Sequence, residues 1–84
     1  MSAAAKRRLC DLIAQFTSGK DMSLALANEI EGLLIEEFAD SDIFEQLTEP
    51  LALYRPGGSA PYVGEEELTT YLREVEKDIC RENS

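Results

Sequence analysis

The chain has 84 residues, of which 44% are hydrophobic and 30% charged, and its formal net charge is −9. That length bounds it to one domain spanning residues 1–84 with a small core, the apolar share argues against general disorder, and no apolar run approaches the ~20 residues of a membrane span. A field of one negative sign repels nucleic acid and anionic membrane, so neither is an expected partner.

The first segment reads as a helix from about Ser2 to Thr17. Ser2 can serve as N-cap, Ala3-Ala4-Ala5 favour helix, and Leu9, Leu12, Ile13 and Phe16 fall on one stripe. Ser18-Gly19 stops it, with glycine able to take the left-handed conformation after the helix end. Lys6-Arg7-Arg8 lies near the positive end of this helix dipole, which is locally unfavourable and suggests a task such as meeting acids elsewhere. The stretch that follows is broken by Asp11 and Gln15 and lacks the continuous apolar run of a secretion signal, so a cytoplasmic location is expected.

A second helix begins near Ser23, with Met22 and Ala27 placed for a hydrophobic staple and Leu26, Ile30, Leu33, Leu34 and Phe38 along one side. Gly32 sits inside it at a cost of ~1 kcal/mol relative to alanine, for which the expected reason is close approach of a neighbouring helix, with a tolerated weakness as the alternative. Ala39-Asp40-Ser41-Asp42 is a turn, and Asp42 with Glu45 fits an Asp variant of the capping box. In the third helix Phe44, Leu47, Leu51 and Tyr54 share a face, and Pro50 is expected to kink or restart it. Residues 55–64 form a Pro- and Gly-rich loop, with Tyr62 and Val63 expected to fold back over the core edge. The last helix opens at Glu65-Glu66-Glu67, acids well placed at a helix N-terminus, and carries a stripe of Leu68, Tyr71, Leu72, Val75 and Ile79. Four amphipathic helices with mostly short connections define an all-α fold, a compact antiparallel four-helix bundle with about twenty apolar side chains in its core.

Much chemistry is missing. There is no histidine, and therefore no common general base or metal ligand of that type. Pro56-Gly57-Gly58 has neither the spacing nor the lysine of a phosphate loop. Asp40-Ser41-Asp42 begins like a calcium loop, but Glu45 and Leu51 stand where glycine and glutamate are required. Cys10 and Cys80 have no Cys-x-x-Cys spacing; the favoured reading is two reduced thiols, with a bridge open to them if the first and last helices pack together. No catalytic residue, cofactor or metal site is expected, and the chain is read as a non-enzyme.

The distribution of charge is the strongest signal. Residues 1–20 carry +3 and residues 55–84 carry −3, so residues 21–54 account for the whole −9. That middle third holds nine carboxylates and no Lys, Arg or His. A surface made only for solubility mixes signs, with Glu-to-Lys pairs along its helices. Here Glu36, Glu37, Asp40, Asp42 and Glu45 crowd the junction of the second and third helices, followed by Glu49. These six, with Tyr54 as an aromatic anchor and Tyr62 as the other candidate for that part, are the candidate contacts for a basic protein partner. A solvated acidic face with no specific role is the plainer alternative.

The order of features resembles the small acidic bacterial immunity proteins of the colicin D immunity type. The matching pieces are Leu12-Ile13-Ala14-Gln15-Phe16-Thr17-Ser18-Gly19-Lys20, the helix from Ser23 to Phe38, the acidic turn, and Leu51-Ala52-Leu53-Tyr54-Arg55-Pro56 leading to a loop and the Glu65-Glu66-Glu67-Leu68 helix. Pro50 departs from that pattern, and no single contact residue carries over. The resemblance implies a protein that binds a cognate nuclease toxin and blocks its basic substrate cleft, with carboxylates standing in for phosphates. The alternative is an interaction or scaffold module without a toxin partner. Either a monomer or a homodimer is compatible with the sequence.

Overall fold

In the computed structural model, which describes residues 3–80, four helices follow one another around a ring: α1 (Ala3–Thr17), α2 (Leu24–Glu37), α3 (Asp42–Leu53) and α4 (Glu65–Val75). Each packs on its neighbours in sequence, and α4 closes the ring on α1. The arrangement is an all-α four-helix bundle with a radius of gyration of 11.9 Å, against about 12 Å for a compact chain of this length. One end of the bundle carries the α1–α2 and α3–α4 connections; the other carries the α2–α3 turn and the start of α1.

The stripes read from spacing are the faces that pack. Leu9, Leu12, Ile13 and Phe16 of α1, Leu26, Ala27, Ile30 and Leu34 of α2, Leu47 and Leu51 of α3, and Leu68, Leu72 and Val75 of α4 are all buried. Ile43 and Pro50 join the buried side of α3, while Phe44 is only partly covered. Tyr71, expected on the α4 stripe, is instead 45% exposed. Eighteen apolar side chains form one continuous core, and no polar or charged residue among those described is buried.

Helix ends follow local hydrogen-bond supply. Ser23 caps α2 by accepting the Leu26 N–H at 3.2 Å, and Asp21 in turn accepts the Ser23 N–H at 2.9 Å. Gly19, at φ 81°, closes α1 with its N–H on the Phe16 carbonyl. The expected cap of α3 moves by one residue. Ser41, not Asp42, accepts the Phe44 N–H, and its hydroxyl donates to the Phe38 carbonyl. Asp42 and Glu45 then lie in the first turn, where they complement the helix dipole rather than form a box. The Ser2 cap expected for α1 lies outside the described residues.

Pro50 neither restarts nor ends α3, which is helical from Asp42 through Leu53. Its ring is buried in the core, and that burial offsets part of the lost backbone hydrogen bond. Gly32 is also not what spacing suggested: a Cβ built there meets nothing within 4 Å, so no helix approaches it. Gly32→Ala is therefore expected to raise the unfolding free energy by about 1 kcal/mol, read as a higher urea midpoint at unchanged slope. A lower midpoint would mean that the glycine has a packing role in the fold.

Beyond Val75 the last helix widens into one π turn, Glu76–Cys80, lying against α1. There Cys80 bonds to Cys10, with S–S 2.09 Å and Cα atoms 5.9 Å apart. The reduced-thiol expectation is thus corrected. Its reasoning rested on a reducing compartment and on local spacing, whereas the bond depends on the packing of the chain's two ends. A bridge of this kind persists in oxidising surroundings. Among the described residues no helix is long and apolar enough to cross a membrane.

The α3–α4 loop is built, not slack. Pro56 and Gly57 (φ 74°) occupy the centre of a turn closed by the Gly58 N–H on the Arg55 carbonyl at 2.7 Å, the pattern of a type II turn. Gly58 has no room for a side chain, since a Cβ would lie 2.8 Å from the Arg55 carbonyl oxygen. Val63 folds back as expected and pairs in an isolated parallel bridge with Tyr54. Tyr62 does not cover the core: it is 46% exposed and lies under the Arg55 guanidinium at 5.4 Å.

Candidate functional site

The acidic residues singled out by sequence are displayed outward. Glu36, Glu37, Asp40, Asp42, Glu45 and Glu49 are all exposed. Glu36, Glu37 and Asp40 line one shallow depression of about 330 Å³ at the α2–α3 turn, together with Phe38, Ala39 and Ser41. Asp42, Glu45 and Glu49 follow at spacing 3 and 4 along α3, away from buried Ile43, Leu47 and Leu51. The turn joins the two sets at one end of the bundle.

Tyr54 does not belong with them. It is fully buried at the C-cap of α3, its ring edge-on to Phe16 at 5.3 Å, and its hydroxyl donates to the Met22 carbonyl at 2.5 Å. The proposed aromatic anchor is therefore a core residue that ties the end of α3 to the α1–α2 connection. Burial, with Glu65 and Asp21 adding repulsion of a phenolate, pushes the Tyr54 phenol above its ordinary range. Its neutral form is thus part of the fold; the associated stability is full below the ordinary tyrosine range and lost as pH rises through the higher folded value.

The basic cluster at the start of α1 could have neutralised the acidic end. It divides instead. Arg8 reaches Glu29 of α2, with Nη2 to Oε2 2.6 Å, in a pair that is 59% and 49% exposed. An exposed pair of this type contributes about 0–1 kcal/mol. Lys6 and Arg7 line a different depression, with Cys10, Asp11 and Cys80. Arg8 thus forms its salt bridge with Glu29 rather than with Glu36, although Glu36 lines the same dent as Arg8 and Glu29.

Two of these acids are placed against local stability. Glu36 and Glu37 occupy the last turn of α2, which contains no basic residue. The last turn is the negative end of the helix dipole, where a carboxylate is disfavoured by about 0.3–1 kcal/mol at an exposed site. Negative charge is thus held where the helix alone would select a lysine.

Two carboxylates outside this group have structural work. The Glu65 carboxylate accepts the Gly57 N–H at 2.9 Å and so latches the α3–α4 loop onto α4; hydrogen bonds from the Gly57 and Glu65 backbone hold it below the usual carboxylate range. Hydrogen bonds from the Ser23 side chain and backbone do the same for Asp21. Each depressed carboxylate contributes stability that is full above its ordinary titration range and disappears as pH falls through the lower folded value. Glu65→Gln keeps the acceptor and removes the titration. The urea midpoint of that variant is expected to fall less between pH 7 and pH 3 than that of the parent; equal falls would mean the latch is insensitive to protonation.

A wider groove, about 680 Å³ and open, lies between the α1–α2 connection and α4, lined among others by Met22, Glu65, Thr69 and Arg73. The Thr69 hydroxyl is buried there without a hydrogen-bond partner among the described residues. The groove contains no nucleophile paired with a base. Among the described residues no group of three or more acids or cysteines is gathered to hold a metal ion.

Compared with known proteins, the chain matches no family model, no curated protein and no solved structure.

Proposed function

We propose that this protein is a non-enzymatic binding protein whose acidic α2–α3 end docks a cationic protein partner, as the immunity proteins it resembles do with nuclease toxins. In that reading the carboxylates of Glu36, Glu37, Asp40, Asp42, Glu45 and Glu49 occupy a cleft shaped for phosphates and exclude the nucleic-acid substrate. Charge-assisted hydrogen bonds from partner Arg and Lys fix the pose, while opposed fields speed encounter and select the partner. The observation that carries the reading is a set of six exposed carboxylates that Arg8 bypasses for Glu29, two of them at the wrong end of a helix dipole for the fold's own benefit. A scaffold or homodimer has less support, since two copies oppose −9 to −9.

The test is functional. A partner captured from the native host is assayed for RNA cleavage with and without one equivalent of this protein. Loss of cleavage at equimolar ratio is the expected result. Full cleavage by a saturated complex, or a captured partner without nuclease activity, would overturn the toxin-inhibitor reading.

A further inference from the structure

The outward face of α2 presents a feature that neither the core nor the acidic turn accounts for. Ala25, Asn28, Gly32 and Ile35 recur at spacing 3, 4 and 3 on the side away from buried Leu26, Ile30 and Leu34. Ile35 is 56% exposed, the most exposed large apolar side chain among the described residues. One turn before it Gly32 lines a dent of about 270 Å³ together with Arg8, Glu29, Leu33 and Glu36. Glycine inside a helix weakens it relative to alanine, and a Cβ at Gly32 would meet nothing within 4 Å. The missing side chain thus has no use inside the molecule; it does give an external backbone room to come close.

We infer that this face seats a basic amphipathic helix of the partner, packed along α2 with one apolar side chain in the Gly32 dent and another against Ile35. The inference rests on the cationic-partner reading above and assigns its apolar anchor, the part Tyr54 cannot play. The spacing is that of a seam between two packed helices, in which apolar residues of one enter gaps on the other. Charge selects the occupant. Glu29 and Glu36 border the seam on one side and Glu31 on the other, and α2 has no Lys or Arg. An arriving helix therefore needs lysines or arginines flanking its apolar stripe. Its cations would compete with Arg8 for Glu29. A second copy of this chain would set Glu31 and Glu36 against their own counterparts and is disfavoured.

The probe is a synthetic amphipathic helix with one leucine stripe flanked by lysines, compared with a scrambled peptide of the same composition and followed by backbone amide NMR at low salt. Saturable equimolar binding with shifts centred on residues 25–36 is expected. Gly32→Leu, which places a side chain in the dent, and Ile35→Ala are each expected to weaken it by about tenfold or more, and so is scrambling the peptide. If variants and scrambled peptide bind equally, or if shifts centre on Asp42, Glu45 and Glu49, the α2 seat is wrong while the acidic docking end survives. If neither peptide binds, both readings fail. Sedimentation as a dimer with the α2 face protected also overturns the assignment.

Discussion

Replacing Cys10 and Cys80 together by serine is expected to lower the unfolding free energy by about 4 kcal/mol. The bond joins residues 70 positions apart and so closes almost the whole described chain into one loop. Cross-linking a loop of that length removes chain entropy from the unfolded state worth about 4 kcal/mol in the chain-entropy model. A domain of this size has a total stability on the order of 4–13 kcal/mol, so the bond holds a large share of it. Both cysteines are only half-buried, and their contact joins α1 to the π turn beyond α4. Urea unfolding of the parent with and without reductant, and of the double variant, measures the effect. Reductant should shift the parent to the variant's midpoint and leave the variant unmoved. Equal midpoints throughout would show that packing of α1 on α4 suffices without the bond.

The second large effect is on association. Glu37→Lys with Asp42→Lys changes the acidic end by four charge units and is expected to slow partner association by about 10-fold or more at low salt. The fold should survive. Both residues are exposed, and their dipole effects oppose each other: lysine gains at the C-terminal turn of α2 and loses at the first turn of α3. Unfolding free energy should therefore stay within about 0.5 kcal/mol of the parent. Stopped-flow association beside urea unfolding separates the two quantities. An unchanged rate would move the docking surface elsewhere.

The bundle was legible because its helices repeat apolar residues at spacing 3 and 4. Leu9 to Phe16 and Leu26 to Leu34 read directly as buried stripes, and Ser23 and Gly19 read as helix start and stop. The spacing also placed Tyr54 on the stripe of Leu47 and Leu51, so its burial was written there; its hydroxyl partner, the Met22 carbonyl, was not, because it lies 32 residues away. Ser41 and Asp42 are both competent caps, and spacing cannot choose between adjacent candidates. The disulfide depends on where two distant turns of helix meet, which no local pattern encodes. Gly32 was read as a contact point, yet only tertiary structure shows the space in front of it to be open.

For the acidic end the sequence was more informative, since exposed acids need no partner inside the fold to be placed correctly. Spacing put Asp42, Glu45 and Glu49 opposite the apolar residues of α3, and the short turn forced Glu36, Glu37 and Asp40 beside them. What spacing could not tell was the fate of Lys6-Arg7-Arg8. Arg8 turns to Glu29, and the acids of the turn are exposed.

The salt dependence of association tests the central claim most directly. With the captured partner in hand, the association rate of the parent is measured as ionic strength rises from about 0.01 to 0.5 M, over which the screening length falls from about 30 Å to a few ångström. A steep decline for the parent, flattened in the Glu37→Lys/Asp42→Lys variant, is the result expected of an acidic surface that steers a cationic partner. A rate that is flat with salt, or that falls equally for both proteins, contradicts it.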